Sequence, residues 1–388
     1  MSSSAYADDP SRKTLTEALI TIFRLSRFPF AFEYQSRVFN AVPIALALLE
    51  RGYSPQSLSD DLWKCLAETS EKRRCLLQLV SPVGASFRRL SALIAVSPKD
   101  SRSWQDTSDM FHGQILLKTT VVNWTRGMCV DLLLSMRAKG KTPTPSGRST
   151  ATRKQRDFKQ KLLARDGSFS VVGGVMERSE CMPDTPLPPH GTETLIAAHI
   201  IPFCISSRPC LRQLLSIFAG QYVENLFTGD SINDPSNGLL LDAASHGAFD
   251  LYQFGLECQD KHYRIRILVR DNLLPEPVRR HNDGEEVLFG QRSQNHALPS
   301  AVLCNLHLTI GRVLHDSGIA AMIDEILQDV DEFNAGNLDG DYSLRVSASY
   351  LVRELRALQS LDELGIDSQH DEADLDNEEV LPIHRICT

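Results

Sequence analysis

Three polar residues in the middle of the chain, His199, Asn237 and His246, each stand beside a short apolar run, and a carboxylate, Asp250, follows four positions after the last. The first sits in Ala-Ala-His199-Ile-Ile-Pro-Phe, the second in Asn237-Gly-Leu-Leu-Leu, the third in a small-residue segment, Ala-Ala-Ser-His246-Gly-Ala-Phe-Asp250. Imidazole is the side chain whose ordinary pKa lies near neutrality, so a positioned His can take a proton at physiological pH. His246 and Asp250, four residues apart, share one face of any helix that carries them. Taken singly, a His after an apolar strand or an Asn before a Gly is usually a packing or turn residue. Their order and spacing together point to chemistry.

In that order and context the residues resemble the HNH endonuclease family, specifically the HNH domains of many fungal proteins, over roughly residues 155–310. The resemblance implies a β-hairpin packed against a helix around one metal ion (the ββα-metal fold). It also implies hydrolysis of phosphodiester bonds in nucleic acid, DNA before RNA. Such hydrolysis needs an activated water, charge stabilisation on the phosphorane-like transition state, and help for the leaving 3′ oxygen. A single divalent cation can supply the last two, which leaves the protein to provide one general base.

By this resemblance the catalytic set is His199, Asn237 and His246, with His199 at the end of the first strand as the base. Asn237 ties down the connecting loop, or ligates the metal as in some ββα-metal nucleases. His246 is a metal ligand or phosphate contact. Asp250 is a second ligand or the partner that orients His246. The cofactor implied is a divalent ion: Mg, Mn or Zn. The sequence departs from the family pattern in places. Ala198 stands where many members place an Asp or His ligand, so water and substrate oxygens must complete the shell, as Mg²⁺ prefers. Ser170 and Gly173 stand where Cys and Thr are common. A catalytically degenerate module that binds nucleic acid or a protein without cutting is the alternative.

Charge is unevenly spread. The net value of −8 conceals a basic stretch, Arg137 to Arg165, with ten Lys or Arg and one acidic residue, Asp157. It also conceals an acidic one, Asp362 to Glu379, with nine Asp or Glu and no Lys or Arg. Since each Lys or Arg that neutralises a phosphate releases counterions, the basic stretch before the module supplies candidate nucleic-acid contacts: Arg153, Lys154, Lys161 and Arg165. Arg264 and Arg266 join them, because period-two spacing places both on one strand face.

The elements that must position these groups define an α+β chain: a mostly helical N-terminal region, then the HNH (ββα-metal) module, then a helical C-terminal segment. The expected division is 1–13 disordered, 14–136 helical, 137–152 a basic linker, 153–315 the nuclease-like domain, 316–360 C-terminal helices and 361–388 a disordered acidic tail. Helical patterns cover 14–23 (capped by Thr14 and Glu17), 34–50, 59–80, 87–96 and 111–136. Trp63, Trp104 and Trp124 read as packing residues. Within the module, strands are expected at 169–172, 195–198, 238–241, 254–258 and 263–269, and a long inserted helix at 211–227. Further helices are expected at 245–252, 298–314, 319–333 and 343–359. Residues 281–284 read as a hairpin turn.

The nine cysteines contain no Cys-x-x-Cys pair, which argues against a structural zinc site and for buried thiols in a reducing compartment. The N-terminus lacks the apolar core of a signal peptide, and the longest apolar run, Ala41 to Leu49, is too short to cross a bilayer. An intracellular protein of cytoplasm or nucleus, with no membrane partner, is expected.

Overall fold

The computed structural model describes residues 16–17, 19–20, 23, 30–35, 37–67, 119–137, 150–181, 188–202, 205, 208–220, 223, 226–227, 229–292 and 295–336. The expected helices at 87–96 and 343–359, both tails, Trp104 and most of the 137–152 linker lie outside these residues. Residues up to Ala320 group as one compact unit. Those from Ala321 onward group as a second, in which the described element is the helix that begins at Ala320 and ends at Gly336. Among the described residues no helix is long and apolar enough to cross a membrane.

The N-terminal region is not purely helical. Strands β1 (Ala31–Tyr34) and β2 (Arg37–Asn40) form an antiparallel hairpin in a stretch whose later part was expected to open a helix at residue 34. Phe32 and Tyr34 alternate with exposed neighbours, and Phe32 pairs with and stacks on Phe39 at 5.1 Å. Gln35 takes a left-handed conformation (φ 48°) in the turn. Period-two burial of aromatics thus overrides the weaker helical pattern. Asn40 then caps α1 (Ala41–Arg51), its side chain accepting from Val42 N, and Pro43 falls in the first turn, where its missing N–H costs nothing. Helix α2 spans Pro55–Ala67. Residues 119–137 form helix α3, whose middle, Gly127–Leu134, is wound as a π-helix. Trp124 is buried there and donates to Asp61 at 3.0 Å, a packing role as expected.

Helix α4 (Thr150–Asp166) opens the module and turns Phe158, Leu162 and Arg165 inward. Short parallel strands β3 (Met176–Glu177) and β4 (Thr192–Glu193) follow. The strand expected at 169–172 is instead a turn with a single bridge, Phe169 to Met176, because Ser170 and Gly173 fold back onto Asp242. Strand β5 (Ile196–His199) pairs antiparallel with β6 (Gly238–Leu241), His199 standing opposite Gly238. Between them lies α5 (Pro209–Ala219). It stops short of residue 227 because Gly220 leaves the helix at φ 97°. Helix α6 (Ala243–Asp250) follows β6 directly. Strands β7 (Phe254–Gln259), β8 (His262–Ile267) and β9 (Glu286–Val287) form a meander; the connection from β8 to β9 carries helix α7 (Glu276–Arg279) and then, where a turn at 281–284 was expected, a turn in which Glu285 N donates to the Asn282 carbonyl at 3.1 Å. Helix α8 (Ala301–Asp316) packs on β7 and on α1. The core of the module gathers Phe158, Leu162, Val175, Leu195, Ala197 and Leu240 between α4 and the β5–β6 hairpin.

Candidate active site

Hairpin β5–β6 and helix α6 bring the sequence-predicted residues together. His199 ends β5, where its Nε2 lies 3.0 Å from the Asn233 Oδ1 and its ring stacks on Phe158 at 4.6 Å and 13°. Burial lowers its pKa below the ordinary imidazole value, while the Asn233 bond opposes that shift. A neutral, proton-accepting imidazole results.

Asn237 sits at the start of β6, 2% exposed. Its Oδ1 accepts from Ile201 N at 2.9 Å, and its Nδ2 donates to the carbonyls of Ile201 and Ile232, both at 3.1 Å. These bonds tie the backbone just after His199 to the loop before β6.

Helix α6 presents His246 and Asp250 on one face, Nε2 to Oδ2 at 3.4 Å. Burial raises the Asp250 carboxyl to about 8 and lowers the His246 imidazole, which also feels the positive form of His199. Despite the short separation, the pair is therefore a contact between neutral groups at pH 7. Asp242 caps this helix: its Oδ1 accepts from Ser245 N at 2.9 Å and its Oδ2 from the Ser170 hydroxyl at 2.8 Å. Ser170 thus fixes the start of the helix that bears His246.

His199 and Asp250 line one small pocket with Ile200, Pro202, Tyr252 and His307; its free space of about 10 Å³ admits about one water-sized sphere. Among the described residues no three His, Cys, Asp or Glu converge to form a metal cage. The His246–Asp250 pair, one imidazole and one carboxylate, leaves at least two positions of any cation it holds to other ligands, which excludes a closed structural zinc site. A cation there would also reverse the preference of Asp250 for its neutral form.

The predicted nucleic-acid contacts divide. Arg165 is fully buried. Its guanidinium donates to the carbonyls of Pro235, Ala297 and Gly238 and pairs with Asp166 at 2.7 Å. It clamps the start of β6 and does not reach the surface, which corrects the expected phosphate contact. Arg266 is held by Glu257 (2.6 Å) and Asp283 (3.2 Å), so its charge is spoken for. Arg264 and Lys161 are exposed. The backbone of Arg153 and Lys154 belongs to α4.

Three residues escaped the sequence reading. Asn233 lies in an Asn-Asp-Pro turn with nothing to mark it as a partner of His199. Phe158 showed only as an apolar position in a basic helix. His307 lies 108 residues beyond His199, yet reaches the same pocket from α8, its ring stacked between Phe249 (3.8 Å) and Tyr252 (4.4 Å).

Residues 179–257 match a family model described as HNH endonuclease. The match spans His199, Asn237, His246 and Asp250. It supports a nuclease-type, hydrolytic function on nucleic acid for this segment, and family members of this type generally use a divalent metal ion. No curated protein and no solved structure matches the chain.

Proposed function

We propose that this chain is a metal-dependent endonuclease that hydrolyses phosphodiester bonds in nucleic acid, DNA before RNA, with His199 as general base. The observation that carries the reading is that His199 and Asp250, far apart in sequence, line one water-sized pocket while His246 backs Asp250. His246 and Asp250 would hold the divalent ion, Mg or Mn in preference to Zn, which when bound would supply charge neutralisation to the phosphodiester under attack.

The chain's own residues do the rest. Asn233 Oδ1, 3.0 Å from His199 Nε2, holds the ring that takes the proton from water. Asn237 keeps the backbone beside the base from shifting. Lys161 and Arg264, both exposed, with Arg153 and Lys154 on α4, supply phosphate contacts that hold the strand without reading its sequence. Cytoplasm or nucleus is the setting this substrate implies.

The test is cleavage of plasmid DNA and of single-stranded RNA by the purified full chain in Mg²⁺ or Mn²⁺. Wild type cuts, EDTA abolishes the cut, and His199→Ala loses about 10²–10⁴ in rate, the usual contribution of a general base. Cleavage by His199→Ala at the wild-type rate would sink the assignment. The second reading, a module that binds nucleic acid without cutting, draws support from Ala198 and from the lack of a three-residue metal cage among the described residues. Salt-sensitive binding without turnover in any divalent ion would favour it.

A further inference from the structure

Phe158 lies outside the matched segment, on a helix whose sequence stands out for charge. It is 1% exposed and lies face to face with the His199 imidazole. The space it occupies exists because Gly238, directly opposite His199 in the hairpin register, has no side chain. A Cβ there would come within 2.4 Å of the Phe158 Cζ. The hairpin therefore leaves room for an aromatic ring from a separate helix at the position cross-strand from the base. The helix cannot drift from this position, because Arg165, seven residues on and so on the same face, bonds the Gly238 carbonyl at 2.8 Å.

We propose that Phe158 is a positioning residue for His199. It fixes the plane of the imidazole and keeps water from one of its faces, while Asn233 fixes the rotation within that plane. Two restraints at right angles leave the ring no soft mode, which is what proton transfer at a defined atom demands. The inference rests on His199 being the general base. It extends the functional unit upstream of residue 179, so the HNH segment alone lacks one wall of its own site. The titratable group coupled to this imidazole is His246 on α6, whose pKa the positive form of His199 lowers; on α4, Lys159 is already paired with Glu177 at 2.7 Å.

The experiment compares Phe158→Leu, which keeps apolar bulk but removes the flat face, with Val175→Ala, a loss of apolar volume in the same core cluster. Both are made in the full chain. Cleavage kinetics in Mg²⁺ and proton NMR titration of the His199 ring are measured for each. Phe158→Leu is expected to lower kcat by about tenfold or more with KM unchanged, since small misplacement of a reacting group is costly. Its His199 titration midpoint moves up toward the ordinary imidazole value. Val175→Ala leaves both unchanged. A Phe158→Leu protein with wild-type kcat and midpoint, or a Val175→Ala protein that reproduces its changes, overturns the proposal. Should wild type cut nothing, the nuclease reading fails and the titration decides alone: a midpoint moved only in Phe158→Leu sustains the positioning role, and an unmoved one removes it.

Discussion

His199 Nε2 and Asn233 Oδ1 stand 3.0 Å apart, and an amide oxygen can only accept, so this contact assigns the tautomer of the imidazole. The same bond raises a pKa that burial lowers. The sign of its removal follows. In Asn233→Ala the protonated form loses its partner, so the acid limb of the cleavage–pH profile moves to lower pH. The plateau rate falls at the same time, because the ring loses a restraint. The wild-type limb itself lies below pH 6.5, and cleavage is pH-independent above neutrality as far as His199 is concerned. Profiles of kcat between pH 4.5 and 8 for both proteins check this; a limb that moves upward in the variant contradicts the assignment.

Asn237 makes three buried bonds to backbone, to Ile201 on one side and Ile232 on the other. Asn237→Ala leaves these peptide groups unpaired away from water. At about 1 kcal/mol for each net bond, the expected loss is about 3 kcal/mol. Urea unfolding of wild type and variant measures it directly. A loss below about 1 kcal/mol would mean that water replaces the side chain and that the loop is not held by it.

The order His199, Asn237, His246 was legible because the first two flank apolar runs that become β5 and β6 and the third lies in a small-residue segment that becomes α6, and Asp250 because a four-residue step defines a helical face. What positions them was not. Arg165 sits in a basic run and looks like its exposed neighbours; only the three-dimensional course of the chain brings the carbonyls of Pro235, Gly238 and Ala297 around it. Asn233 and His307 reach the site across 34 and 108 residues, and no local periodicity encodes such contacts. The β1–β2 hairpin was hidden for a related reason: Ile44, Ala45 and Leu48 of α1 continue an apolar pattern that starts among the strand residues, so period alone did not place the boundary.

Arg165 and Lys161 provide a direct contrast within one helix. Arg165→Met removes a guanidinium that satisfies three carbonyls and neutralises Asp166, and breaking a buried pair by one partner costs about 3–5 kcal/mol. Lys161→Gln, at an exposed position, leaves stability within about 0.5 kcal/mol. On the proposed function it weakens nucleic-acid binding and lowers the slope of log affinity against log salt by about 1. Thermal unfolding together with binding titrations between 50 and 200 mM salt separates the two roles. An Arg165 variant that folds normally but binds with a reduced salt slope would reverse them.

His307 sets a pH dependence of stability that its burial makes specific. The ring is 3% exposed, its Nδ1 has no hydrogen-bond partner, and burial pushes the imidazole down to about 3. In the unfolded chain the same group titrates near 6.5. A depressed folded-state pKa means that the unfolded state binds the extra proton first. The contribution of His307 to stability is thus intact above about pH 6.5 and declines as pH falls toward 3, at up to about 1.4 kcal/mol per pH unit. His199 and His246 have lowered values too, so the total slope is shared among them. His307→Phe isolates its part: a phenyl ring can keep the stack between Phe249 and Tyr252 while removing both the proton site and the unpaired nitrogen. Urea midpoints at pH 7, 6 and 5, above the main carboxylate range, should fall less steeply with acidification in the variant than in wild type. Parallel midpoint–pH lines for the two proteins would show that His307 takes up its proton in the folded state as readily as in the unfolded one.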